Sequence, residues 1–93
     1  MAQLLTEVEI QEQAKLLFGW TVENSKLEIT RTFQDFIQAI EFVNKLVEPA
    51  ESAAHHPDIE ISYNKVKIIL TTHDAGGLTQ TDFDVAYAIS RIN

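Results

Sequence analysis

The stretch Ile59-Glu-Ile-Ser-Tyr-Asn64-Lys65-Val-Lys-Ile-Ile-Leu70 decides the fold class. Ile59, Ile61 and Tyr63 alternate with Glu60 and Ser62, and Val66, Ile68 and Leu70 alternate with Lys67, Ile69 and Thr71. A period of two puts each set on its own face of a strand. Asn64-Lys65 supplies the turn between the two runs. Ile69 makes the second face partly apolar, which marks it as a candidate subunit contact.

A second hairpin lies upstream. Trp20 to Glu23 reads as a short strand, Asn24-Ser25 as its turn, and Lys26 to Phe33 as a half-buried strand with Leu27, Ile29 and Phe33 on one face. Arg31 falls on that apolar face, so it is expected at an edge or with its head group carried out to solvent.

Three helices complete the pattern. Thr6 and Glu9 form a capping box, with Leu5 and Ile10 at staple positions. Ile10, Ala14 and Leu17 then recur at helical spacing, up to a stop near Gly19. Asp35 with Gln38 starts a second helix whose stripe is Phe36, Ile40, Val43 and Val47, widened by Ala39 and Leu46. Pro49 lacks an amide donor and should kink or restart that helix, and Pro57 turns His56 out of helical geometry. Thr79 caps the last helix with Asp82 at the acidic position of the box. Leu78 and Phe83 make its staple, and Val85, Ala86, Ile89 and Ile92 its stripe.

The order α-β-β-α-β-β-α predicts an α+β fold. One four-stranded antiparallel sheet carries three helices packed on one face, and its other face meets solvent or another subunit. Ninety-three residues suit a single domain spanning 1–93. A chain this short buries only about 60–65% of its unfolded surface. With no cysteine to supply disulfides or thiolate metal sites, self-association is the expected source of further burial.

Seven basic against 14 acidic residues give a net charge of −7, with no basic cluster. Such a surface repels phosphate backbones and anionic headgroups, so neither nucleic acid nor membrane is an expected partner. The acidic first residues do not read as a secretory signal, and no apolar run approaches the ~20 residues of a membrane span. A soluble cytoplasmic protein is expected.

The three histidines are His55, His56 and His73. Pairing of the second hairpin returns the chain to its start, which brings His73 near the adjacent pair. Imidazole exchanges protons near neutral pH, so this rim suits general acid–base work. A single histidine is more often a surface or capping residue. Three imidazoles and a water also make a zinc set, but adjacent histidines chelate awkwardly and neither H-x-H nor H-x-x-x-H spacing occurs, so no metal is expected. Gly76-Gly77 lacks the P-loop lysine and the Rossmann spacing and reads as a tight turn.

Glu51-Ser-Ala-Ala-His55-His56-Pro57, Tyr63-Asn64-Lys65-Val66 and Thr71-Thr72-His73-Asp74-Ala75-Gly76-Gly77-Leu78-Thr79, with Asp82, together resemble the signature of the pterin-4a-carbinolamine dehydratases. A weaker likeness reaches upstream through Gly19-Trp20 and Asp35-Phe36 to Phe42. The resemblance implies a pterin substrate bearing a 4a-hydroxyl, loss of water to a quinonoid dihydropterin in tetrahydrobiopterin recycling, and no cofactor. It implies His55, His56 and His73 as the catalytic triad, with His55 and His73 the acid–base pair. Glu51, Pro57, Thr72 and Asp82 then bind substrate, and Glu51 or Asp82 alternatively holds an imidazole tautomer. It further implies a homodimer extending the sheet, or a homotetramer. Alternatives are a non-catalytic interaction module, since mammalian members also act as partner for a transcription factor's dimerisation helices, and a place in another pterin pathway such as molybdopterin metabolism. Ala54 and Ile59 depart from the family pattern, in which some members carry an acidic residue or Asn and a Trp.

Overall fold

The computed structural model describes residues 3–92; residues 1, 2 and 93, the ends of the expected domain, lie outside them. The elements are α1 (Glu7–Ala14), β1 (Thr21–Glu23), β2 (Lys26–Thr32), α2 (Phe36–Lys45), α3 (Val47–Ser52), β3 (Asp58–Ser62), β4 (Lys65–Leu70), a 3-10 turn (His73–Ala75) and α4 (Gln80–Ser90). The strands form one antiparallel sheet in the order β1-β2-β4-β3. This is the expected α+β architecture. Among the described residues no helix is long and apolar enough to cross a membrane.

One face of the sheet is buried. Leu27 and Ile29 of β2 and Val66, Ile68 and Leu70 of β4 meet Ala39, Phe42 and Leu46 of α2 and Phe83, Ala86 and Ile89 of α4. Each fully buried Leu, Ile, Val or Phe contributes about 1.5–3 kcal/mol relative to exposure, which makes this sandwich the main stabilising element. The opposite face carries polar residues, including the Lys67–Glu28 ion pair (3.3 Å).

Both short-range caps form as read from the sequence. Thr6 accepts from Glu9 N, while the Glu9 carboxylate accepts from Thr6 N. Asp35 accepts from Gln38 N at 2.9 Å. Asn24 and Ser25 both adopt positive φ (52° and 62°), the left-handed pair that a two-residue hairpin turn requires.

Four expectations need correction. First, α1 ends at Ala14, not near Gly19: Leu16 N and Leu17 N bond three residues back, to Gln13 O and Ala14 O, and this tighter turn delivers Leu17 to the core. Second, Arg31 lies on a central strand and does not run out to solvent. Its guanidinium stacks 5.0 Å over the Phe42 ring, and Nη1 donates to Ile92 O at 3.2 Å, just beyond α4. Third, the buried face of α2 is Ala39, Phe42 and Leu46, while Phe36 and Val47 stay exposed. The chain resets at Leu46, so Val47 opens a new helix and Ala50 becomes its buried residue.

Fourth, the β3–β4 turn is Tyr63-Asn64, one residue earlier than expected: Ser62 pairs with Lys65, and Tyr63 takes φ 54°. Asn64 clamps the neighbouring strand instead, donating Nδ2–H to Phe33 O and accepting Phe33 N–H on its own carbonyl. The strand β3 is exposed along its whole length, Ile59 and Ile61 included, and it lies at the edge of the sheet.

The end of α3 positions the next segment. His55 N donates to Ala50 O (3.0 Å) and Ala54 N to Glu51 O (3.1 Å), the two bonds of a Schellman motif. Its left-handed residue is Ala54 (φ 50°), where a Cβ is disfavoured by about 1–2 kcal/mol. Ala54→Gly is therefore expected to raise the urea unfolding free energy by roughly 0.5–1 kcal/mol, after the entropy cost of glycine. An unchanged or lowered midpoint would show that the turn is unstrained.

Candidate active site

Asp82 is the third residue of α4 and is completely buried. A buried carboxylate is costly unless donors surround it. Here its Oδ2 accepts Thr79 N–H (2.9 Å) and the Thr72 hydroxyl (2.7 Å), and its Oδ1 lies 2.5 Å from His55 Nε2. The capping carboxylate read from the sequence thus also holds an imidazole. Thr72 and Thr79 add a hydroxyl–hydroxyl contact at 2.9 Å. Among the described residues no buried side-chain nitrogen or oxygen lacks a partner.

Three separate segments meet in this network. His55 leaves the Schellman turn after α3, Thr72 follows β4, and Asp82 opens α4. Strand pairing explains the meeting: the β3–β4 register begins with Asp58 opposite Ile69, and its continuation sets the His55–Pro57 exit beside Leu70–Thr72. The imidazole of His55 is 16% exposed, so one edge reaches solvent.

His56 points elsewhere. Its Nε2 lies 2.5 Å from Glu51 Oε2, and both side chains are more than half exposed (63% and 67%). Such a pair adds little stability, but it orients the ring. His73 opens the 3-10 turn one residue past Thr72. Its side chain is exposed and makes no hydrogen bond among the described residues. Gly76 (φ 79°) closes that turn, donating to Thr72 O and His73 O, and Thr72 pairs with Gly77. The glycine pair thus serves the tight turn expected of it.

The two histidine settings therefore differ: one ring is held by a buried acid, two lie at the rim. Among the described residues no three His, Asp or Glu side chains are grouped to hold a metal ion. Beside His56 runs a mostly apolar groove of about 220 Å³, lined by Val43, Val47, Ala50, Glu51, Pro57 and Ile59. Pro57 and Glu51 face this groove, whereas Thr72 and Asp82 lie in the hydrogen-bonded network. A larger groove of about 940 Å³ runs between α1 and the β1–β2 turn and contains none of the histidines.

Sequence reasoning missed the second bond of Thr79. Its hydroxyl reads as a helix cap, and its contact with Thr72 depends on tertiary placement. The groove was also missed, since it requires α2, α3 and β3 to be assembled.

The profile of the family described as pterin 4 alpha carbinolamine dehydratase matches residues 3–92. A Nostoc punctiforme protein provisionally named pterin-4-alpha-carbinolamine dehydratase is 84% identical over 92 residues, covering 99% of each chain. One from Acidobacterium capsulatum with the same provisional name is 49% identical over 92 residues, again covering 99% of each. A Brucella melitensis crystal structure, titled transcriptional coactivator/pterin dehydratase, superposes with a TM-score of 0.88 at 32% identity, covering 92% of this chain and 94% of that one.

The network sets a stability contrast. Asp82→Ala strands the Thr79 amide and the Thr72 hydroxyl and is expected to cost about 2–4 kcal/mol in chemical denaturation. Glu51→Ala, on an exposed pair, should stay within about 0.5 kcal/mol of wild type. Equal losses would contradict the unequal burial of the two carboxylates.

Proposed function

The chain belongs to the pterin-4a-carbinolamine dehydratase family, and from that premise we propose that it eliminates water from a 4a-hydroxytetrahydropterin by histidine general acid–base catalysis. The observation that carries the reading is the His55–Asp82 pair, a partly exposed imidazole held by a buried acid that also binds Thr72, the chain neighbour of exposed His73.

The chemistry needs two proton movements. One acid protonates the hydroxyl on carbon 4a; the C4a–O bond breaks and its electrons leave with the oxygen as water. One base removes the proton from nitrogen 5, and the freed pair forms the C4a=N5 double bond. The product is the quinonoid dihydropterin, and no redox partner is required. His55 and His73 take these two roles, and His56, braced by Glu51, orients the ring. Glu51 and Pro57 line the groove beside it, whose apolar walls suit the edge of a bicyclic ring. Asp82 and Thr72 act through His55.

We assign the protein, as one domain, to tetrahydrobiopterin recycling in the cytoplasm. A homodimer or homotetramer is supported by the uncovered edge strand β3, whose outer backbone groups can pair with a second copy. Light scattering should give a multiple of the 10.5 kDa chain mass, and a monomer would reject this part of the reading.

A second reading, a protein-interaction module, is favoured by one feature: Phe36, Ile37 and Val47 expose apolar surface along α2 and the start of α3. One assay separates the two. With freshly generated 4a-hydroxytetrahydropterin, the protein should speed quinonoid formation above buffer. His55→Ala or His73→Ala should lose about 10²–10⁴-fold of that rate. A wild-type rate equal to buffer, with a protein complex that survives loss of all three histidines, would favour the interaction module.

A further inference from the structure

The hydrogen bonds around Asp82 have a direction, and that direction selects one nitrogen of His55. The Thr72 hydroxyl has a single hydrogen, and Asp82 Oδ2, 2.7 Å away, can only accept it. The 2.9 Å contact between the two hydroxyls then runs the other way, with Thr79 donating to Thr72 Oγ1. Thr79 N–H supplies a second donor to Oδ2. Two donors on one oxygen fix the carboxylate plane, and this aims Oδ1 at His55 Nε2. The proton of that 2.5 Å contact belongs to Nε2, since the carboxylate supplies none. Backbone bonding of His55 N to Ala50 O anchors the other end of the residue.

We propose that Thr72 and Thr79 are positioning residues that lock His55 in the tautomer protonated on Nε2, so that Nδ1 is the atom exchanging protons with the substrate. The substrate half of this statement rests on the dehydratase reading; the tautomer half does not. Thr72 thereby changes role: its hydroxyl is committed on both sides and acts on the pterin only through the imidazole. An orienting partner behind a functional imidazole fixes both its tautomer and its aim, as it does at metal-bound histidines.

Nitrogen-15 NMR of the imidazoles tests the lock without substrate. In wild type at mildly alkaline pH, His55 should show a protonated Nε2 and a bare Nδ1. Thr72→Val, nearly isosteric, should give a mixture of tautomers and lower kcat about 10–100-fold with KM little changed. Thr72→Ser, which keeps the hydroxyl, should restore tautomer and kcat to near wild type. Thr79→Val should act in the same direction, which covers the case in which Thr72→Val fails to fold.

A wild-type His55 protonated on Nδ1 overturns the proposal. So does a folded valine variant with the wild-type tautomer and rate, or a serine variant as impaired as the valine one. Absence of turnover in wild type, with the Nε2 tautomer intact, would reject the dehydratase reading and leave the lock standing.

Discussion

A carboxylate with no contact with water is the constraint on which this structure turns. Asp82 begins α4, and burying it there is tolerable only because three donors from three segments converge on its two oxygens. Those donors are not interchangeable. One is the backbone of the residue capping its own helix, one is the hydroxyl that follows β4, and one is the imidazole that follows α3. Satisfying the acid therefore ties helix, hairpin and the His55 turn into one geometry. Removing any donor leaves a buried charge short of partners, so stability and aim of the imidazole are coupled at this point.

Much of this was legible in the sequence because the signals are local. Alternation in Lys26–Thr32 and Lys65–Leu70 gives the two central strands, and Thr6 with Glu9 and Asp35 with Gln38 give two helix starts. The meeting of His55 with the far end of the hairpin also follows from antiparallel register. What escaped depends on neighbours distant in the chain. Arg31 reads as misplaced until Phe42 and the carbonyl of Ile92 are set beside it. The exposure of Ile59 and Ile61 follows from strand order, which alternation alone does not give. The face of α2 follows from where Leu46 breaks the helix, which Pro49 foretells only as a break, not as a rotation.

Which of the three histidines a buried acid would hold was not legible in the sequence, where Glu51 and Asp82 stood as equal candidates. A residue-type count treats them alike. In the fold, His55 is held from behind and mostly covered, while His56 and His73 are exposed. The proposed proton transfer would use that asymmetry, with one ring aimed by a buried acid beside an exposed one that makes no hydrogen bond among the described residues. The uncovered edge of β3 and the apolar strip on α2 point to surfaces that an assembled protein would cover, which fits the small core available to 93 residues.

The most direct test is a crystal structure with a dihydropterin bound. The pterin ring is expected at the hairpin exit, with the 4a-hydroxyl and nitrogen 5 within hydrogen-bonding reach of His55 Nδ1 and the His73 ring, and the His55–Asp82 contact retained. A pterin seated in the groove between α1 and the β1–β2 turn, or a His55 ring turned away from Asp82 on binding, would contradict it.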